Sequence, residues 1–154
     1  MRPAPGDPAP DFEGVTTDGE RVSLAQYRGR KLVMYFYPKD DTPGCTRQAC
    51  SLRDHQAEIA AKGAAVLGVS TQDASSHAAF TRKFGLNFPL LADTDGRVGR
   101  AYGTLGGGGL VSKIRSHLGL AERVTFVIDE QGRIAHVIEK PDVARHAEEV
   151  LALI

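Results

Sequence analysis

Cys45 and Cys50 form a C-x4-C pair and are the only thiols in a chain of 154 residues. A cysteine attacks as its thiolate, and a free thiol ionises near about pH 8.5, so the surroundings of the sulfur decide whether it reacts at neutral pH. Cys45 follows Thr42-Pro43-Gly44, turn residues that open a helix. The first turn of a helix presents unpaired N–H groups and the positive end of its dipole, and a thiolate placed there is stabilised. An isolated cysteine is ordinarily a small buried hydrophobe. Two cysteines are too few to staple a small secreted fold, however, and in a reducing compartment such a pair is more often catalytic or redox-active than structural.

The neighbourhood of Cys45 carries more than the pair does. Pro38, Thr42 and Cys45 stand in the pattern P-x3-T-x2-C directly after a buried strand. The run Tyr37-Pro38-Lys39-Asp40-Asp41-Thr42-Pro43-Gly44-Cys45-Thr46, followed by Ala49-Cys50 and Leu52-Arg53-Asp54, resembles the active-site segment of peroxiredoxins, in particular the bacterioferritin-comigratory or PrxQ subfamily. The resemblance runs from Gly6-Asp7 and Ala9-Pro10-Asp11-Phe12 through Gly68-Val69-Ser70 and Phe88-Pro89-Leu90-Leu91 to Arg123-Val124-Thr125-Phe126-Val127-Ile128-Asp129, nearly the whole chain. It implies a thioredoxin-like fold and reduction of hydrogen peroxide and organic hydroperoxides without metal, cofactor or prosthetic group. It further implies that Cys45 is the peroxidatic cysteine and Cys50 the resolving one, with Thr42, Pro38 and Arg123 completing the site.

Those roles are chemically reasonable. A Cys45 thiolate attacking ROOH would become a sulfenic acid, the first rung of cysteine oxidation. Arg123, always cationic, would hold the thiolate and steady the leaving oxygen, while the Thr42 hydroxyl orients the peroxide. Backbone N–H groups of Gly44 and Cys45 would complete the substrate pocket, and Pro38 would shield it by shape. Apart from the resemblance, Arg123 reads as a solvated charge and Thr42 as a turn or cap residue.

Spacing sets a further condition. On a helix, positions five apart differ by roughly 140° and rise by about 7.5 Å. A disulfide needs Cα atoms about 4.4 to 6.8 Å apart with converging Cβ vectors. Joining Cys45 to Cys50 therefore requires the segment from about Thr42 to Leu52 to unwind. The reduced form is expected to be helical there and the oxidised form melted or shifted.

The elements that must position these residues follow from the apolar pattern. The Pro-rich start reads as an extended arm, and the runs 12–15 and 21–24 flank Thr17-Asp18-Gly19 as an N-terminal hairpin. Lys31 to Tyr37 is a near-continuous apolar run that suits a central strand covered on both faces. Helix is expected over 45–61, strand over 64–69, helix over 75–84 with Ser75 as cap, a short strand over 89–92 and a short helix over 97–102. Strands over 124–128 and 134–138 joined by a tight turn, then a helix over 143–154, close the chain. The sum is a single α/β or α+β domain over residues 1–154, a central mixed sheet flanked by helices. Glycines crowd residues 103–109 in a flexible or strongly turned loop that fits neither a phosphate-loop nor a dinucleotide-binding pattern.

Basic and acidic residues balance at 19 each, which argues against nucleic acid or an anionic membrane as partner. With no apolar leader and no membrane-length apolar stretch, the chain reads as cytoplasmic. Its five histidines show no metal-ligand spacing and read as surface residues. The resemblance adds peroxide as substrate, thioredoxin or a similar dithiol as reductant, and a monomer that resolves within one chain. Two other readings remain, a thioredoxin-type thiol–disulfide oxidoreductase, which would normally carry C-x-x-C, and a redox-sensing interaction module.

Overall fold

The structure, a computed structural model, describes residues 2–106, 114 and 118–154. The N-terminal hairpin pairs β1 (Glu13–Val15) with β2 (Arg21–Ser23). The main sheet has five strands in the order β5-β4-β3-β6-β7. Within it β3 (Lys31–Phe36), β4 (Ala64–Ser70) and β5 (Leu90–Ala92) run parallel, β6 (Val124–Ile128) pairs antiparallel with β3, and β7 (Ile134–Ile138) pairs antiparallel with β6 at the edge.

β3 explains the two-layer core. Side chains alternate across a strand, so Leu32, Met34 and Phe36 enter one apolar cluster with Phe12, Tyr102 and Phe126. Val33 and Tyr35, with Tyr37 just beyond the strand, enter the other with Cys45, Ala49, Leu52, Phe80 and Val150. A strand buried on both faces has no solvent side to carry polar residues, which is why the run reads as continuously apolar. The second cluster lies under α1 (Pro43–Asp54), α3 (Ala74–Phe84) and α5 (His146–Leu151). Two further helices among the described residues are α2 (Gln56–Ala61) and α4 (Arg97–Ala101).

α1 begins at Pro43, whose fixed φ suits the first helical position and whose missing N–H would have no intrahelical partner anyway. Its buried residues, Cys45, Gln48, Ala49 and Leu52, recur at helical spacing and form the stripe that faces β3. Fully burying a side chain such as Leu52 contributes roughly 1.5–3 kcal/mol.

Three expectations need correction. The helix over 45–61 is two helices, because His55 leaves helical geometry (φ −115°, ψ 13°) between α1 and α2. α3 is capped by Asp73 rather than Ser75, its carboxylate accepting from the Ser76 N–H at 2.8 Å. At the far end Gly85 closes α3 in the left-handed conformation (φ 60°), which glycine adopts without a steric penalty. The last helix is shorter than 143–154, since Asp142 accepts from the Ala144 N–H at 3.2 Å and holds the preceding residues in a turn. Residues 107–109 of the glycine loop lie outside the described residues. Among the described residues no helix is long and apolar enough to cross a membrane.

Candidate active site

Cys45 lies in the first turn of α1 and is 1% exposed. The Thr46 N–H donates to the Thr42 carbonyl at 2.8 Å, so the N–H groups of Gly44 and Cys45 have no helical carbonyl to bond. They lie at the positive end of the helix dipole, as the turn chemistry implied.

Arg123 reaches this turn from the far side of the sheet's centre. In the β3–β6 register Phe36 lies opposite Val124, so Arg123, one residue earlier, sits beside the point where β3 gives way to the loop and α1. Its Nη2 donates to Cys45 Sγ at 3.3 Å and its Nη1 to Gln48 Oε1 at 2.6 Å. Gly44 makes room for this, since a Cβ there would stand 3.2 Å from Nη2. A planar guanidinium held at two corners cannot swing away from the sulfur as a single-point ammonium could.

Thr42 is the N-cap residue in extended conformation, but its hydroxyl makes no cap bond and donates to the Lys39 carbonyl at 3.0 Å. With its one hydrogen committed, the oxygen is left as an acceptor. Pro38 follows β3, half-buried, and its carbonyl accepts from Ser70 Oγ at 3.4 Å and Gln72 Nε2 at 3.3 Å. Cys50, half-buried on the same helix, carries a free thiol like Cys45, and α1 is continuous between them.

Several participants escaped the sequence reading. Gln48 is fully buried and fixes Arg123. Its signal was the i, i+3 relation to Cys45, which puts both on one helical face. The assignment of histidines to the surface fails for His77 and His146, both fully buried. His146 Nδ1 meets Glu149 Oε1 at 3.0 Å and Nε2 meets Thr125 Oγ1 at 2.8 Å, so each ring nitrogen has a partner and burial is tolerated. Burial lowers the His146 pKa below its ordinary value; Glu149 opposes this and the Arg123 charge adds to it. The ring is therefore neutral at neutral pH. The Tyr35 hydroxyl and Gln48 Nε2 are buried with no hydrogen-bond partner among the described residues.

Two surface clefts, of about 560 and 320 Å³, are lined from the hairpin, α3, β5 and the residues that follow them; neither includes Cys45, Thr42 or Arg123. They are set apart from the sulfur chemistry. Among the described residues no group of three or more His, Cys, Asp or Glu could hold a metal ion.

A buried cysteine in the first turn of a helix, hydrogen-bonded by an arginine that precedes a strand of a helix-covered mixed sheet, is compatible with a thiol-dependent peroxidase, and homology assigns the chain to that class, the peroxiredoxins. The chain belongs to the AhpC/TSA family, whose model matches residues 5–137. Peroxiredoxin Bcp of Escherichia coli is 40% identical over 146 residues, 95% of this chain and 92% of its own. The crystal structure of peroxidoxin BcpB from Mycobacterium tuberculosis matches with a TM-score of 0.85 and 33% identity, over 99% of this chain and 96% of that one. The bacterioferritin comigratory protein of Xanthomonas campestris matches with a TM-score of 0.82 and 33% identity, over 92% of this chain and 88% of that one. That protein was solved in trapped intermediate and ligand complexes bearing on its alkyl peroxide reduction activity. The fold is the expected thioredoxin-like one, with the separate two-stranded hairpin added.

Proposed function

We propose that Cys45 is the peroxidatic cysteine of this thiol peroxidase and Cys50 its resolving partner. The observation that carries the assignment is the 3.3 Å hydrogen bond from Arg123 to a sulfur in the first turn of α1. The Cys45 thiolate attacks the terminal oxygen of ROOH, forming an S–O bond as the O–O bond breaks, and ROH departs after taking a proton. Arg123 and the N–H groups of Gly44 and Cys45 face the charge that develops, while Thr42 accepts a hydrogen bond from the peroxide. Pro38 walls the site. Cys50 then attacks the sulfenic sulfur, water leaves and an intrachain disulfide forms.

The turnover dithiol is of the thioredoxin type, present in the cytoplasm, and reduces the disulfide by thiol–disulfide exchange. In this reading residues 1–154 act as a single domain, and because both cysteines lie on one helix of one chain a monomer suffices for resolution. Peroxide consumption with thioredoxin and its reductase tests the scheme. Wild type should cycle many times and Cys45→Ser not at all. Cys50→Ser should react once per chain and stop at the sulfenic acid. Undiminished turnover by Cys45→Ser would falsify the assignment, and a wild type that stopped after one equivalent would indicate a redox sensor instead.

A further inference from the structure

The loop that leads into α1 is anchored by a buried cluster that the peroxide chemistry above does not use. Asp40, two residues before Thr42, is 8% exposed. Its Oδ1 accepts from the Tyr37 hydroxyl at 2.6 Å, and its Oδ2 faces both Ser76 Oγ at 2.7 Å and His77 Nδ1 at 2.6 Å. The other ring nitrogen of His77, Nε2, lies 3.0 Å from the Leu91 carbonyl oxygen.

A carbonyl can only accept, and a carboxylate already receiving two hydroxyl donors accepts as well. Both contacts are hydrogen bonds only when each nitrogen of His77 carries its hydrogen. Burial by itself would raise the Asp40 carboxyl, but hydrogen bonds from His77, Tyr37 and Ser76 prevail and leave it below its ordinary value. The cluster is thus a buried carboxylate–imidazole pair in which both ring nitrogens and both carboxylate oxygens have partners.

Pairs of this kind are weak stabilisers, because desolvation offsets their attraction; what a fully matched network supplies is a single permitted geometry. The geometry set here is that of the loop. The Asp40 N–H also donates to Gln72 Oε1 at 2.9 Å, and Gln72 Nε2 holds the Pro38 carbonyl at 3.3 Å. Next in the chain, Asp41 takes φ 58°, a left-handed conformation uncommon outside glycine and maintained only where its surroundings determine it. Thr42 follows, its hydroxyl bound to Lys39 within the same loop.

We propose that Asp40 and His77 are positioning residues for the peroxide step: by pinning the loop between β3 and α1 to α3 they set the Thr42 hydroxyl against the approaching peroxide. The proposal rests on the roles assigned above to Cys45 and Thr42.

Two reactions of one sulfur separate positioning from general stability. In a Cys50→Ser background only Cys45 reacts. Its alkylation by iodoacetamide reports the thiolate held by Arg123 and the helix terminus, whereas its oxidation by hydrogen peroxide also needs Thr42 in place. His77→Gln can satisfy only one of the two acceptors and should slow peroxide oxidation by about tenfold or more, with alkylation kept within about twofold. Ser76→Ala, which removes one donor to Asp40, should shift the same ratio in the same direction by a smaller factor. Lys83→Ala, which removes an exposed ion pair to Asp41 (side chains 60% and 45% exposed), should leave both rates unchanged.

Equal falls in both rates, or no change in a folded His77→Gln chain, would overturn the proposal. If His77→Gln does not fold, an unchanged ratio in Ser76→Ala overturns it. Cys45→Ser in parallel distinguishes the two levels: peroxide consumption surviving in that variant would sink the assignment of Cys45 itself.

Discussion

Arg123→Met is the most direct test of how the sulfur is activated, because it keeps a long apolar stem and removes only the guanidinium. The contact is 3.3 Å long and the sulfur belongs to a residue only 1% exposed. At an effective dielectric constant of about 20, opposite unit charges at that distance attract by roughly 5 kcal/mol, from which desolvation of both groups must be subtracted. Hydrogen bonds to charged groups contribute about 1.5–3 kcal/mol net, and that is the range expected to appear in the barrier. The second-order reaction of Cys45 with hydrogen peroxide should therefore slow by about 10- to 150-fold.

Arg123→Lys should recover only part of this, since one ammonium cannot hold both Gln48 Oε1 and Cys45 Sγ as the guanidinium does. The chain has no tryptophan to report the reaction by fluorescence, so rates are best read by competition with a reporter peroxidase of known rate. A folded Arg123→Met chain reacting within about twofold of wild type would refute the electrostatic argument, because a loss below about 0.4 kcal/mol is outside the expected range.

Hydrogen exchange should show the amides of α1 protected in the reduced chain and exposed once the Cys45–Cys50 disulfide forms; equal protection in the two forms would contradict the required unwinding. His146 should impose a pH dependence on stability. Burial places its folded pKa below the ordinary 6.5, so the unfolded chain binds this proton more readily than the folded one. The contribution is full above pH 6.5 and is lost as pH falls through the lowered folded value, so Tm should drop on acidification and His146→Gln should flatten that part of the profile. Gly68→Ala should destabilise by about 1–3 kcal/mol in chemical denaturation through overpacking. A Cβ there would lie 2.6 Å from Leu90 Cδ2 and 3.0 Å from the Tyr35 ring.

The elements around the site were legible because their signals are local. The apolar run of β3, the Pro43-Gly44 opening of α1 and the turn before β7 each lie within a few residues of what they specify. Boundaries were less so. The break at His55 and the cap at Asp73 depend on which of several adequate residues the surrounding packing selects. Cys45 could be singled out from its position in the first turn of a helix, but Arg123, 78 positions away, was indicated by family resemblance and by nothing in its own surroundings.

What the amino-acid order alone determined was the pair of thiols, the helix turn that favours a thiolate and the five-residue offset that forbids a disulfide within an intact helix. What only tertiary structure decided was which polar groups meet: Gln48 with Arg123, and Asp40 with a histidine 37 positions along that had read as a surface residue. The physical reason is that helical period and turn chemistry act between near neighbours. A buried polar group, by contrast, is stable only with a matched partner, and that partner is chosen by the sheet's register and the docking of helices upon it.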